Sequence, residues 1–489
     1  MSILVIDVGT SGVRGAVVRP DASVEHVHHI PVLPDTPFPG LVEFDGLAIA
    51  SAVQEVAARS LADGGPVAAV GIANQRASTL VWDRATGQPL APGLGWQDLR
   101  TVGTCLELQA QGIRIAPNAS ATKLAALLDA VDPDRTRSER GELAFGTIDT
   151  WVAWILSEGE LHITDASNAG VTGLIHGDGT GWSANLLAAL RIPEAVLPEI
   201  VDSSGIVGTA RTLQGAPPIA GMAGDQQASL IGQSCTRVGQ AKATFGTGGM
   251  LDQCLGTTRP AQAVRGPAGT FPIIAWRRGG TTTWGIEAIM LSAGSCVEWL
   301  RDDLGIIDDA ADSATVAGRC DNTGDVWFVP ALLGLGTPVW DFGARGTYTG
   351  ITRGSGRPEM VRAVLEGVAH RGADLLESAE ADSGLAIGAL RVDGGMTSND
   401  VFVQALANAC ARPVEISPVL EATTLGAAYL AGMAVGTWAG EDDVAEAWMP
   451  RAVVHPTGTA ADHDAARSRW LDARSRAEGA VPELSGIDF

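Results

Sequence analysis

Asp7 ends an apolar run, Ile3 to Val8, and is followed by Gly9-Thr10-Ser11-Gly12 and a second run, Val13 to Val18, that carries Arg14. Glycine on both sides of Thr10 and Ser11 lets a β-hairpin turn sharply, bringing amide N–H groups, two hydroxyls and Arg14 to one point. Such a tip can cradle phosphate. A carboxylate beside phosphates makes sense as a ligand for their Mg²⁺ or its waters, which is the chemistry expected of Asp7. An ordinary hairpin turn with a solvated aspartate is the competing reading. Near mid-chain the pattern returns, with Gly246-Thr247-Gly248 between the β-forming stretches Lys242 to Phe245 and Gly249 to Leu251. Two such hairpins suggest two related halves.

Other residues stand where strands should end. Pro66 to Ala73 is a short uninterrupted apolar run, as expected of a strand buried on both faces, and it delivers Asn74-Gln75-Arg76. Ligands of open α/β sheets lie beyond the carboxyl ends of the strands, so Arg76 reads as a substrate contact. Ile219 to Ala223 similarly delivers Gly224-Asp225-Gln226-Gln227, with a helix expected to start at Gln226. Asp225 fits an N-cap and a catalytic carboxylate equally well on this basis. Trp96, by residue type alone, suits a core position. His26, His28 and His29 have no carboxylate or cysteine at ligand spacing, and read as a solvated strand.

Taken together, Asp7 to Arg14, Asn74-Gln75-Arg76, Ala223 to Gln227, Phe245-Gly246-Thr247-Gly248 and Asp393-Gly394-Gly395 resemble the FGGY carbohydrate kinases, the glycerol kinases most closely. The likeness runs from Ile6 to about Gly436. It implies an α/β fold of two ribonuclease-H-like domains, of the actin-like ATPase type, around a central ATP and substrate cleft. Residues 1–232 would hold the sugar site and the first phosphate hairpin; residues 233–489 would hold the second hairpin and the adenosine site, with peripheral helices from about 437. The implied reaction is in-line transfer of the ATP γ-phosphoryl group to a hydroxyl of a small polyol or sugar. By the same resemblance, Asp225 accepts the hydroxyl proton, and Arg76, Ala77, Trp96, Asn118, Gln226 and Met250 line the acceptor site. Thr10, Ser11, Arg14, Thr247, Gly294, Glu298, Gly395 and Asn399 would meet ATP, and Asp7 would hold Mg²⁺ through water.

The chain departs from glycerol kinases in the acceptor site: Ala77 stands where they have glutamate, Asn118 where they have tyrosine, and Met250 where they have phenylalanine. Ala126 replaces a signature tryptophan. A missing carboxylate leaves glycerol short of hydrogen-bond partners, and smaller walls leave room. The expectation is therefore an acceptor of about four or five carbons, a longer polyol or ketose, by the room these changes release. A true glycerol kinase is the alternative. Readings of another class are an actin-like ATPase and a silent sugar-binding relative. Arg76, Trp96 and Asp225 provide a base and a hydroxyl pocket that the first does not need, and retention of Asp7, Thr10, Thr247 and Asp225 argues against the second.

These residues need elements to hold them. Asp45 is a plausible cap for a helix through Ala62 with Leu47, Ala50, Val53, Val56, Ala57 and Leu61 at helical spacing. Helices are also expected from Asp149 to Glu158, over Ile289 to Leu300, and from Pro358 to about Glu377, where Val361, Val364, Leu365, Val368, Leu375 and Leu376 share a face. Leu390 to Asn399 reads as strand, glycine turn and helix start, with Asn399 as cap.

At 489 residues the chain is long enough for two substantial cores. Its net charge of −23 disfavours nucleic acid and anionic membranes as partners. Six scattered cysteines without a Cys-x-x-Cys pair argue against a disulfide framework or a zinc site and read as buried thiols in a reducing cytoplasm. No basic leader precedes the first strand and no uncharged run reaches the ~18 residues of a membrane span. A cytoplasmic enzyme with a small-molecule substrate is expected, and a homodimer is compatible with this. Lysine occurs only at positions 123 and 242, both in segments that resemble the kinases.

Overall fold

The run Ile3–Val8 forms β1, folds back into β2 (Gly12–Val18) and continues into β3 (Val24–Pro31) as an antiparallel meander. The computed structural model describes residues 1–262 and 264–486. Asp45 caps helix α1 (Gly46–Gly64), its side chain accepting from the amides of Leu47 and Ala48. This helix buries Ile49, Val53, Val56, Ala57 and Leu61 against the sheet. Leu47 falls off that stripe and is 45% exposed. The next strand, β4 (Ala69–Asn74), is buried throughout and runs parallel to β1. After α2 (Ser120–Val131) and α3 (Ile148–Leu156), β5 (Ser204–Thr209) turns into β6 (Pro218–Gly224), which lies parallel to β4. Helix α4 (Asp225–Gly232) follows without a connecting loop.

The second half repeats the plan. β7 (Ala241–Phe245) and β8 (Gly249–Gly256) make the second hairpin; β9 (Phe271–Arg278) and β10 (Thr281–Met290) extend it. Helices α5 (Gly294–Asp302) and α6 (Arg357–Ser383) follow, then β11 (Leu390–Asp393), α7 (Asp400–Cys410), β12 (Val414–Ile416) and α8 (Ala422–Ala434). In space β3-β2-β1-β4-β6 and β10-β8-β7-β11-β12 have one topology, three antiparallel strands followed by two parallel ones. This is the duplicated ribonuclease-H-like arrangement. The two sheet halves join edge to edge through the single pair Ser204 and Arg278 of β5 and β9.

Helix α8 belongs to the second half in sequence but packs on the first. Leu425, Ala428 and Leu430 share a core with Ile3, Val5, Ala69 and Ala223. The approach is close because its contacts are small: a Cβ at Gly71 would stand 2.5 Å from the Ala427 carbonyl oxygen, and one at Gly426 or Gly232 would overlap the backbone of the facing helix. The stripe on α6 is buried at all six expected positions.

Two expectations are corrected. Ile289 and Met290 belong to strand β10, and the helix starts only at Gly294, because β10 pairs with β8 through that point. The C-terminal region is not merely peripheral helix: β13 (Ala452–Val454) pairs with β12 and adds the outermost strand of the sheet. Helix α9 (Ala460–Ser475) buries Trp470, whose indole donates to Asp374 of α6 at 3.1 Å. Arg371, Arg467 and Arg474 meet the same carboxylate, at 2.6, 2.8 and 3.3 Å.

Candidate active site

Both hairpin tips and three strand ends converge. Asp7 is paired across β1 and β2 with Arg14, and their side chains stand 3.8 Å apart. Burial pushes the Asp7 carboxyl up to about 7; Arg14 opposes this, while Asp225 and Glu421 reinforce it. Burial is the main reason this carboxyl resists ionising, and a bound cation would favour its charged form. At the tip, Thr10 Oγ1 accepts from the Trp96 indole at 3.1 Å, joining the first phosphate hairpin to the expected acceptor wall. Ser11 is exposed at the same tip, and its carbonyl accepts from Val32 N.

Arg76 lies between two carboxylates. Its Nε is 3.3 Å from Asp225 Oδ1 and its Nη1 is 2.7 Å from Glu287 Oε2. Burial works against the guanidinium charge, but Glu287 and Asp225 more than restore it, so its pKa is raised. Burial also raises the Asp225 carboxyl, with Arg76 the main opposing charge. Asp225 is the first residue of α4 and Gly224 is its N-cap, so the capping alternative for Asp225 does not hold; its Oδ1 instead accepts from Gln226 N at 2.8 Å. Met250 lies over Arg76, with its sulfur 3.9 Å from Nη2.

Position 77 adopts an unusual backbone. Ala77 has φ +61° and is buried, and its carbonyl accepts from Ser120 Oγ at 3.0 Å. Asn118 is exposed on the loop before α2. That loop is tied to the tryptophan by Lys123, whose ammonium donates to the carbonyls of Trp96, Pro117 and Ala119 at 3.2, 2.9 and 3.2 Å. Burial lowers its pKa to about 8.

Among the residues expected to meet ATP, Thr247 is exposed at the second tip. Its carbonyl and that of Gly246 accept from Ala293 N and Gly294 N, fixing the start of α5 against the hairpin. A Cβ at Gly294 would stand 2.6 Å from the Gly246 oxygen, which explains the glycine. Glu298 is exposed one turn further along α5. Gly395 opens a 3₁₀ turn with no atom near where a Cβ would be. Asn399 caps α7 as expected, accepting from Phe402 N, and its amide nitrogen donates to Ser313 at 3.0 Å.

Three charged residues were not singled out as site residues from sequence: Lys242, Asp252 and Glu287. They are consecutive partners across β7, β8 and β10, all buried, and they face Arg76 and Gln226. Asp252 Oδ2 is 2.7 Å from Lys242 Nζ. The hairpin register carried the signal, since pairing Phe245 with Gly249 places Lys242 opposite Asp252.

Two glycine-flanked hairpins on duplicated ribonuclease-H-like halves, with the partly exposed carboxylate of Asp225 held against Arg76, are the arrangement of an ATP-dependent phosphotransferase of the actin-like fold. The chain matches the FGGY family of carbohydrate kinases, N-terminal domain, over residues 2–232 and the C-terminal domain of that family over residues 241–435. It belongs to that family and is an ATP-dependent kinase. It is 41% identical to a glycerol kinase of Aromatoleum aromaticum over 495 residues, spanning 98% of this chain and 99% of the other. A glycerol kinase of Deinococcus radiodurans is 42% identical over 492 residues, 97% of each chain. Among solved structures, Plasmodium falciparum glycerol kinase with ADP superposes with a TM-score of 0.91 at 28% identity, covering 100% of this chain and 99% of that one. A xylulose kinase from Lactobacillus acidophilus gives a TM-score of 0.86 at 21% identity, over 99% of both chains, a likeness of fold alone.

Proposed function

We propose that the enzyme phosphorylates glycerol. The observation that carries this reading is the near full-length identity of about two-fifths to proteins named glycerol kinase. Geometry supports it against the expectation of a longer acceptor drawn from Ala77, Asn118 and Met250. Arg76 has a carboxylate beside it in Glu287, although position 77 supplies none, and the Met250 sulfur comes within 3.9 Å of the same guanidinium. The longer polyol or ketose stays as the second reading because Ala77 and the exposed Asn118 remain departures.

In the mechanism Asp225 takes the proton of the attacking hydroxyl as that oxygen bonds to the γ-phosphorus and the bond to the β–γ bridging oxygen breaks. Its raised pKa brings it nearer the operating pH, which improves a general base. Arg76 and Gln226 orient the acceptor, and Trp96 walls it. Thr10, Ser11, Arg14 and Thr247 hold phosphates; Gly294, Glu298, Gly395 and Asn399 flank the nucleoside. Mg²⁺ suits the buried Asp7 carboxylate, whose charged form a cation would favour, held through water as hard-cation sites with few carboxylates are. When bound, that ion would neutralise phosphate charge. We also propose that residues 1–232 and 233–489 act as the two jaws of the cleft.

A coupled ADP-release assay over glycerol, erythritol, threitol, the pentitols, xylulose and ribulose is the test. A specificity constant for glycerol above every longer acceptor supports the proposal; a pentitol or ketopentose that surpasses glycerol replaces it with the second reading.

A further inference from the structure

Lys242 Nζ stands 2.6 Å from Gln226 Oε1, 2.7 Å from Asp252 Oδ2 and 3.1 Å from Thr244 Oγ1. An ammonium carries three donors, and these three oxygens use all of them. Lys242 and Asp252 face each other across the β7–β8 hairpin and neither has any exposed surface. Gln226 is half-exposed in the first turn of α4, next to Asp225.

An ammonium can only donate. The Gln226 amide must therefore turn its oxygen to Lys242, and its nitrogen, with two donors, faces away from that partner. The rest of the chain relies on arginine for positive charge, with lysine only at positions 123 and 242. A planar guanidinium could not meet three oxygens arranged around one point as a tetrahedral ammonium does.

We propose that Lys242 is a positioning residue for the acceptor: anchored by Asp252, it holds Gln226 Oε1 so that the Gln226 amide nitrogen is presented to an acceptor oxygen. The proposal rests on the kinase reading above. Lys242 then acts on acceptor binding through Gln226 and leaves ATP binding alone, although it lies on the strand leading to the second phosphate hairpin.

The test is steady-state kinetics with ATP and glycerol, or whichever acceptor of the panel turns over fastest. Lys242→Met combined with Asp252→Leu removes the buried pair together, so that neither member is left without the other. Acceptor KM should rise about three- to tenfold, the range of one lost hydrogen bond between neutral groups, with ATP KM within about twofold. In a Gln226→Ala background the same pair of changes should add less than about twofold, because residues acting as a unit are not additive. Gln226→Glu covers the case of a misfolded pair variant: its carboxylate would stay on Lys242 and leave no donor for the acceptor, so acceptor KM rises while thermal stability holds. An unchanged acceptor KM in the folded variants, a shift confined to ATP KM, or full additivity with Gln226→Ala overturns the inference. Wild-type protein without acceptor-dependent ADP release overturns the kinase reading, and this inference with it.

Discussion

Arg76 Nε lies 3.3 Å from Asp225 Oδ1, so the arginine that follows β4 rests on the carboxylate that follows β6, and the two strand ends share one charge balance. Glu287 holds the other edge of the guanidinium at 2.7 Å. The arginine is thus set by carboxylates from both halves of the chain, and it is the main cation acting on the proposed base.

Asp225→Asn keeps the shape of the side chain and removes only the base. Turnover should fall ~10²–10⁴-fold, the usual cost of losing a general base. ATP affinity, measured by titration of the purified variant, should stay within a few-fold. Turnover close to wild type would refute the assignment.

The Asp225 carboxyl is raised by burial and held down mainly by Arg76. A base must be ionised to act, so activity should fall as pH drops through this raised pKa. Arg76→Gln removes the charge that favours the ionised form, and the acid limb of kcat/KM should move to higher pH, whatever happens to its height. A limb that stays in place or moves to lower pH contradicts the arrangement.

Asp7→Ala and Thr247→Ala should impair use of ATP equally with every acceptor, since both residues stand at the phosphate side. ATP KM and kcat measured across the acceptor panel check this. A change in acceptor preference would show that one of them reaches the acceptor.

Burial lowers the Lys123 pKa from 10.5 to about 8. Between those values the unfolded chain binds more protons at this position than the folded one, so its contribution to stability rises with pH across that window. The full effect is on the order of 3 kcal/mol at 1.36 kcal/mol per pKa unit. Lys123→Met should remove that rise in urea unfolding between pH 8 and 10, relative to wild type, and should raise acceptor KM by loosening Trp96 and the loop of Asn118.

Gly426 and Gly232 sit where helices α8 and α4 nearly touch, and a methyl at either would overlap backbone of the other helix. Alanine in a helix interior ordinarily stabilises by ~0.5–1 kcal/mol relative to glycine. Here overpacking, typically ~1–3 kcal/mol, should win and destabilise the protein. Denaturant unfolding of Gly426→Ala gives the sign directly.

Much of the framework was legible because its signals are local. The Asp45 cap, the α6 stripe and the fully buried β4 follow from residue type and spacing over one or two turns. The misplaced helix at Ile289 shows the limit. An apolar run there satisfies a helical period, yet its pairing with β8, itself set by the hairpin before it, makes it strand through Met290. The tail fails for a related reason: Trp470 is buried where its indole meets Asp374 of α6, and Arg467 and Arg474 of its own helix α9 reach the same carboxylate.

The sequence by itself determined the two glycine-flanked hairpin tips, the strand ends carrying Arg76 and Asp225, and the family, because turn chemistry and strand termination depend on neighbours in the chain. Only the tertiary structure decided that Glu287 would stand at Arg76, that Met250 would lie over it, and that Lys242 would claim the oxygen of Gln226. Those pairings join residues distant in sequence. They are set by how the two halves of the chain come together and by the cost of burying a charge unpaired, which favours the close partners that Arg76 and Lys242 find.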